Sequence, residues 1–258
     1  MAGRATADIV FCIDASESMR PVFDAVKENV VKLVAGLQED GQRAWDVRFD
    51  FLAYHLGMGD GNMTVFYFDS VFLTGGQNLL DEIYHGRQKP NGGSGRFFTS
   101  DLEKLKRRLG EVKCIGDEAS AVALDVAADF PFRDPAACHR VIILLTDEPI
   151  ETGGVVAESE SKIMDLARKV QAKGIQLFMV TPPSAAFDEL SQIDKCEWTV
   201  ADECGRGLSS IDFTKLLQAI GKSVSVSQVA AGAETAPRPL FGEADWAAAT
   251  ADDFTERR

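Results

Sequence analysis

The sequence predicts an α/β fold in which a mostly parallel central sheet carries helices on both faces. Two apolar runs of strand length, Ile9–Ile13 and Val141–Leu145, are each followed by an acidic residue within two positions. Runs that are apolar throughout are typical of parallel strands buried on both faces. Segments with helical periodicity alternate with strand-like segments along the chain, which is typical of a Rossmann-like, doubly wound sheet.

The first predicted strand is Asp8–Asp14. Apolar residues then recur three and four positions apart, which predicts an amphipathic helix that packs on the sheet. These residues are Met19, Val22, Phe23, Val26, Val30, Leu33, Val34 and Leu37. Gly41 is expected to cap the C-terminal end of this helix.

An antiparallel hairpin is expected next, because the Gly-rich turn at 57–62 is too short to hold a crossover helix. Its strands are Trp45–Tyr54 and Thr64–Leu73, both rich in aromatic and β-branched residues. The segment 74–98 is irregular apart from a short helix predicted at Leu79–Tyr84. The many glycines of 89–95 predict a flexible stretch within it.

The second half of the chain continues the alternation. A helix is expected to begin at 99–103, with Ser100 as its N-cap and Glu103 completing a capping box. The elements that follow are predicted from periodicity, apolar runs and Gly or Pro stops. They are a helix that ends at about Phe130, a strand over His139–Asp147, a helix over Val155–Ala172, a strand over Ile175–Val180, a short helix around 187–193, an edge strand over Cys196–Val200 and a closing helix over Ile211–Val226.

Composition divides the chain into two regions. Residues 1–226 form the predicted α/β domain, whereas residues 227–258 are rich in Ala, Thr and acidic residues. Such a composition is typical of a flexible tail. This tail is expected to act as a tether or to dock through Leu240, Phe241 and Trp246.

Charge and cysteine content exclude some classes of partner and compartment. The net charge of -13 argues against nucleic acid or an anionic membrane as the main partner, because both attract positive charge. The five cysteines are an odd number without metal-ligand spacing, so reduced thiols are expected. The first eight residues contain no apolar signal region, and no apolar run is long enough to span a membrane. We therefore expect a cytoplasmic protein.

Oxygen-bearing side chains follow the first strand: Asp14 ends it, and Ser16 and Ser18 lie two and four residues further on. Ligands of open parallel sheets bind outside the C-terminal ends of the strands, and Mg²⁺ takes carboxylate and other oxygen ligands. Asp147 follows the second apolar strand, so the two acids converge if these strands are neighbours. Close carboxylates favour a cation between them. The alternative is that Asp14 is a helix-start acid and that Ser16 or Ser18 is an N-cap.

These residues resemble the signature of the von Willebrand factor A domain. Asp14, Ser16 and Ser18 match its Asp-x-Ser-x-Ser motif, and Asp147 in Leu-Leu-Thr-Asp matches the acid of its third metal-site loop. The resemblance covers Asp8–Val226 and implies an antiparallel strand at the edge of the sheet. It also implies Mg²⁺ (or Mn²⁺ or Ca²⁺) in a metal-ion-dependent adhesion site, completed by a partner's carboxylate. Intracellular prokaryotic members, the type expected here, often work alongside AAA-class ATPases, in metal chelation, or in stress and conflict systems.

The loop that supplies the remaining metal ligand departs from the family pattern. The family's threonine, two residues after a glycine, is Glu118 in this sequence. Some intracellular relatives carry a Gly-Asp-x-Pro-Glu-Ala-like loop instead, and that alignment points to Asp117 and Ser120. Asp117, Glu118 and Ser120 therefore all stay candidates for the ligand, although both acids could equally be solvated. Thr146 is expected to pack or to cap rather than to bind metal.

The favoured function is a non-enzymatic, metal-dependent adaptor or scaffold module that binds another protein. The main alternative is a Mg²⁺-dependent, phosphatase-like hydrolase with Asp14 as nucleophile, similar to the haloacid dehalogenase phosphatases. Ser16 argues against it, because a serine cannot transfer protons near neutral pH as the second acid of those enzymes does. The sequence also contains no Walker-type phosphate loop and no Gly-x-Ser-x-Gly elbow. A module that no longer holds metal is the third alternative.

Overall fold

The computed structural model describes residues 5–38, 44–58, 64–70, 97–117, 119–150, 163–201 and 204–227. The strands in these residues are β1 (Ala5–Asp14), β2 (Trp45–Met58), β3 (Thr64–Ser70), β4 (His139–Leu145), β5 (Ile175–Thr181) and β6 (Cys196–Val200). The helices are α1 (Arg20–Gln38), α2 (Leu102–Glu111), α3 (Ser120–Ala128), α4 (Ile163–Ala172), α5 (Ala185–Ser191) and α6 (Phe213–Val226). A 3-10 turn at Glu17–Met19 leads from β1 into α1.

The strands form one mixed sheet in the order β3-β2-β1-β4-β5-β6. All neighbouring strands are parallel except β2 and β3, which form the expected antiparallel hairpin at one edge. The predicted fold class is thereby confirmed. β1 pairs with β4 so that Ile13 lies opposite Leu145, and it pairs with β2 so that Asp14 lies opposite Tyr54. This register brings the residues that follow β1 and β4 to the same end of the sheet.

Helices cover both faces of the sheet. Successive side chains of a strand point to opposite faces, so each strand contributes to a core on either side. Ile9, Phe11 and Ile13 of β1 pack into a core that contains residues of α1, α2 and α6. Val10 and Cys12 pack into a second core that contains residues of α3, α4 and α5. The uninterrupted apolar character of β1 therefore follows from burial on both sides.

A buried network of charges lies toward the opposite end of β1 from the strand-end loops. The Asp8 carboxylate is fully buried and accepts hydrogen bonds from Arg48 Nε at 2.7 Å and Arg48 Nη2 at 2.6 Å. It also accepts from the Arg133 backbone amide at 2.7 Å and from Arg133 Nε at 2.9 Å. Two guanidinium groups thus offset the cost of burying this carboxylate.

Helix boundaries differ from the sequence predictions in two places. The N-cap of α2 is Asp101, not Ser100, and its Oδ1 accepts from the backbone amides of Glu103 at 2.9 Å and Lys104 at 3.1 Å. One carboxylate oxygen can accept both of these first-turn amides, which have no partner within the helix, so Asp101 takes the N-cap position instead of Ser100. The closing helix begins at Phe213 rather than Ile211, because Asp212 is its N-cap.

Several predictions fall outside the described residues. They concern Gly41, the segment 71–96 with its short helix, the beginning of the helix predicted from Val155, and the tail beyond 227. Within the described part of the chain, no helix is both long and apolar enough to cross a membrane.

α1 and α6 cross unusually closely because each presents a glycine to the other. A Cβ atom added at Gly36 of α1 would lie 2.2 Å from the Gln218 carbonyl oxygen of α6. A Cβ atom added at Gly221 of α6 would lie 2.1 Å from the Leu33 carbonyl oxygen of α1. The two backbones are therefore in contact at this crossing, with no room for a methyl group on either side.

Gly36→Ala is expected to destabilise the domain, because the new methyl group would overlap a backbone carbonyl that cannot rotate away. Overpacking of this kind costs about 1–3 kcal/mol. The melting temperature of a domain of this size changes by about 2–4 °C per kcal/mol, so thermal denaturation followed by circular dichroism measures the effect.

Gly110→Ala in α2 is the matched control, since a Cβ atom there would meet only the Lys27 Cδ atom at 4.0 Å. The higher helix propensity of alanine predicts a gain of about 0.5–1 kcal/mol at this position. Equal melting temperatures for the two variants would contradict the close crossing of α1 and α6.

Candidate metal centre

Asp14 ends β1 as a fully buried carboxylate whose two oxygens are both engaged. Oδ1 accepts the backbone N–H of Ser16 at 2.7 Å, and Oδ2 accepts the hydroxyl of Thr146 at 2.9 Å. The next residue is fixed as well, because the Ala15 amide donates to the Tyr54 carbonyl at 2.7 Å. The carboxylate is therefore held in one orientation by the chain that follows β1 and by the chain that follows β4.

The two serines connect Asp14 to Asp147. Ser16 Oγ lies 3.2 Å from Ser18 Oγ, and the Ser18 hydroxyl donates to Asp147 Oδ1 at 3.1 Å. Ser16 immediately precedes the turn at Glu17–Met19, yet its side chain makes no capping hydrogen bond. The four predicted ligands Asp14, Ser16, Ser18 and Asp147 are thus connected by hydrogen bonds, with the backbone amide of Ser16 making the link to Asp14.

A further loop, residues 204–208, completes the surroundings of Asp147. The Gly207 amide donates to Asp147 Oδ2 at 2.6 Å, and the Gly205 amide donates to the Asp147 carbonyl at 2.9 Å. Gly207 has a φ of +60°, and a Cβ atom at this position would lie 2.2 Å from the Ser18 carbonyl oxygen. Only glycine fits here without displacing the loop that carries Ser18.

The loop before α3 approaches the centre through its backbone. The Ile115 amide donates to the Ala15 carbonyl at 2.7 Å, and Asp117 exchanges two backbone hydrogen bonds with Leu56 at 2.6 and 3.0 Å. The Asp117 side chain is exposed. In the residues that the structure describes, no three Asp, Glu, His or Cys side chains lie close enough to hold a metal ion together. Asp117 is therefore not grouped with the carboxylates of Asp14 and Asp147, and its role as a ligand stays a prediction.

The two other candidate metal ligands from this loop are Glu118 and Ser120. Glu118 lies outside the described residues. Ser120 is the first residue of α3, is buried, and has its Oγ 2.8 Å from the hydroxyl of Tyr54. Ser120 therefore lies behind the loop, against the strand that neighbours Asp14.

The electrostatic character of the centre is negative. Burial and then the Asp14 charge raise the pKa of the Cys12 thiol, and they raise the pKa of the Tyr54 hydroxyl well above its ordinary value. Partial burial, and then the carboxylates of Glu148 and Asp147, raise the pKa of Cys204. Burial is the larger cause of each shift, and the smaller contribution from the carboxylates is the part that reflects a negative potential, which would attract a cation.

The donor set fits a hard divalent cation. Two carboxylates and two hydroxyls offer only oxygen atoms, which are the ligands that Mg²⁺, Mn²⁺ and Ca²⁺ prefer. Asp147 is fully buried, and its carboxylate partners among the described residues are the Ser18 hydroxyl and the Gly207 amide, neither of which carries charge. A bound cation held by Asp14, Ser16, Ser18 and Asp147 would neutralise this buried charge.

Three residues of the centre were missed or undervalued by sequence reasoning. Thr146 does cap, because it accepts the Glu148 amide at 3.2 Å, but it also donates to Asp14. Tyr54 reaches the centre only through the pairing of β2 with β1. Gly207 gives one sequence signal, the Gly-x-Gly spacing with Gly205 after the last strand, but nothing in that spacing indicates Asp147 as its partner.

Comparison with known proteins defines the fold. No family model and no curated protein matches the chain. The von Willebrand factor type A structure from Catenulispora acidiphila is similar, with 15% identity and a TM-score of 0.51 over 86% of this chain and 43% of that one. The pilus adhesin SpaC from Lactobacillus rhamnosus GG is also similar, with 12% identity and a TM-score of 0.50 over 87% of this chain and 31% of that one. This chain spans less than half of either protein, and it has the α/β fold of a von Willebrand factor A domain.

Proposed function

We propose that this protein is a metal-dependent protein-binding module whose centre is a metal-ion-dependent adhesion site. One observation supports the proposal: two buried carboxylates from distant parts of the chain, Asp14 and Asp147, lie on either side of Ser16 and Ser18. Asp14 accepts the Ser16 backbone amide, the two serine hydroxyls are 3.2 Å apart, and Ser18 donates to Asp147. Mg²⁺ is the expected ion, with Mn²⁺ or Ca²⁺ as substitutes.

Each residue has a distinct part in this proposal. Asp14 and Asp147 supply negative charge, and Ser16 and Ser18 supply neutral oxygens. A bound cation would offer a coordination position at which a partner's carboxylate or other oxygen replaces water. Asp117, Glu118 and Ser120 remain the candidates for one further ligand.

The proposed partner is another protein. SpaC is a pilus adhesin, which is in keeping with this role, although that description applies only to SpaC. The surface around the centre also offers apolar contact, because the Ile115 side chain is 55% exposed next to Ala15. The proposed cytoplasmic location rests on the five cysteines without metal-ligand spacing. A partner such as an AAA-type ATPase or a stress or conflict component is proposed from the family resemblance alone.

Mg²⁺ or Mn²⁺ is expected to raise the melting temperature of the protein, because an ion that binds only the folded state stabilises it. At an ion concentration one hundred times the dissociation constant, the gain is about 2.7 kcal/mol. Asp14→Asn, which keeps the size of the side chain, is expected to abolish the shift. Differential scanning fluorimetry with and without ion measures it.

Asp165→Ala provides the control for the loss of an acidic side chain. Asp165 is an exposed residue of α4 whose ion-pair partner among the described residues is its helix neighbour Arg168. This variant should keep the full shift. A wild-type protein that shows no shift with any of the three ions would instead favour the module without metal.

Gly207→Ala is expected to weaken Mn²⁺ binding more than Gly205→Ala does. Both glycines have positive φ angles, so alanine strains the backbone by about 1–2 kcal/mol at either position. Only at Gly207 does the new Cβ atom meet a backbone oxygen, that of Ser18, whereas at Gly205 it meets the end of the Glu148 side chain at 3.1 Å. Isothermal titration calorimetry compares the two affinities, and equal losses would argue against a role for Gly207 in holding Asp147.

The hydrolase alternative is tested with a generic phosphate ester in the presence of Mg²⁺. We expect no turnover, because Ser16 occupies the position of the second acid of such phosphatases and a serine cannot transfer protons near neutral pH. Release of phosphate that is lost in Asp14→Asn would favour the hydrolase instead.

A further inference from the structure

We propose that a pocket beside Ala15, next to the candidate metal centre, is a specificity pocket for a tyrosine side chain of the partner protein. The pocket has a volume of about 240 Å³. This inference rests on the proposed function in one respect, that the partner is a protein. The volume, the aromatic wall and the charges of the pocket do not depend on an ion.

The pocket lies where the β2–β3 hairpin, the C-terminal end of α2 and the chain that follows β1 meet. Residues of all three segments line it: Ala15, Ala53, His55, Tyr67, Asp69 and Val112. Ala15 is the sequence neighbour of Asp14, and consecutive Cα atoms are about 3.8 Å apart. The wall of the pocket therefore begins one residue from the candidate metal centre, so two neighbouring side chains of a partner would reach both.

Two aromatic rings form a preorganised wall of the pocket. His55 lies opposite Tyr67 in the β2–β3 register, and their rings stack with centroids 4.6 Å apart and planes inclined by 17°. The Tyr67 ring also lies against Gly57, where an added Cβ atom would be 2.7 Å from Tyr67 Cε2. An aromatic occupant would therefore pack against rings that are already in place, at a low cost in side-chain entropy.

The volume of the pocket selects the size of the occupant. A cavity of about 150 Å³ holds one benzene molecule. Scaled by the number of heavy atoms, a tyrosine side chain needs about 200 Å³ and a tryptophan side chain about 250 Å³. The pocket, with about 240 Å³, accommodates the tyrosine side chain with little space left, whereas tryptophan would require its walls to move.

The charges around the pocket balance, which favours a neutral occupant. Arg108 Nη2 donates to Asp69 Oδ1 at 2.7 Å, and Arg108 Nη1 donates to Glu111 Oε2. Glu111 and Lys113 also line the pocket, and both are exposed. Two acidic and two basic side chains thus lie together, while burial lowers the pKa of His55 and favours its neutral form. A charged occupant would add a charge without a counter-charge.

Asp69 gives the pocket an acceptor for the tyrosine hydroxyl. Its side chain is 31% exposed, and an ionised carboxylate offers about four lone-pair sites. The bond from Arg108 to Oδ1 therefore leaves acceptor capacity on Asp69. Partial burial raises the pKa of Asp69, although Arg108 counteracts this, and a donor from the occupant would stabilise the ionised form. An occupant with a hydroxyl is thus favoured over phenylalanine, which has no donor.

Binding of p-cresol, which is the isolated side chain of tyrosine, tests the pocket without any ion. Titration into the full chain with a chelator present, followed by NMR, is expected to shift the methyl resonances of Ala53 and Val112. p-Cresol should bind about tenfold more tightly than toluene, because only p-cresol donates a hydrogen bond to a charged acceptor. Unchanged methyl resonances, equal affinities for the two compounds, or tighter binding of 3-methylindole would each overturn the inference and leave the proposed function intact.

Two substitutions test the parts of the pocket. Tyr67→Leu removes one ring of the aromatic wall and is expected to weaken p-cresol binding about fivefold to tenfold. Trp198→Leu is the matched control, because it also replaces an aromatic ring but lies on β6, at the opposite edge of the sheet from β3. Asp69→Asn keeps the shape of the side chain and should reduce the preference for p-cresol over toluene. Equal losses in the two leucine variants, or an unchanged preference in Asp69→Asn, would contradict the assignment.

The position next to the candidate metal centre is tested with Mg²⁺ and two blocked dipeptides, acetyl-Asp-Tyr-amide and acetyl-Asp-Ala-amide. Mg²⁺ should make the tyrosine peptide bind at least tenfold more tightly than the alanine peptide, and it should leave p-cresol binding unchanged. If Mg²⁺ raises the melting temperature but does not strengthen binding of the tyrosine peptide, the metal site is kept and the inference is overturned. Binding of p-cresol by a protein that responds to no ion would refute the metal site and keep the pocket.

Discussion

The parallel pairing of β1 with β4 is the constraint on which the rest of the structure depends. It places Asp14 beside Thr146 and Ser18 beside Asp147, although these pairs are separated by 132 and 129 positions in the chain. A shift of register by one residue would turn every side chain of β1 to the other face of the sheet. The two cores on either side of β1 therefore fix the position of the candidate metal centre, in addition to the hydrogen bonds within it.

The buried carboxylates near the two ends of β1 have different kinds of hydrogen-bond partner. The Asp8 carboxylate accepts four hydrogen bonds: three come from the side chains of two arginines and one from a backbone amide. At Asp147, the described partners are a hydroxyl and an amide, both neutral. A buried carboxylate with only neutral partners is costly to maintain. This difference supports the proposal that an ion binds at the C-terminal ends of the strands and not at the opposite end of the sheet.

The sequence was sufficient to predict the elements that depend on local patterns. Uniformly apolar runs predicted β1 and β4, and the short turn at 57–62 predicted the antiparallel pairing of β2 with β3. The N-cap of α2 was predicted wrongly at Ser100, because Ser100 and Asp101 are both good N-caps and the choice between them depends on backbone geometry. The contributions of Tyr54 and Gly207 were not predictable, since each depends on contacts between segments that no local pattern relates.

The glycine crossing of α1 and α6 also has a mechanical consequence. α1 begins directly after the turn that carries Ser18. Because Gly36 and Gly221 bring the two backbones into direct contact, neither helix can slide along the other without a collision of main-chain atoms. A displacement of α6 would therefore be transmitted to α1, which couples the closing helix mechanically to the turn that carries Ser18.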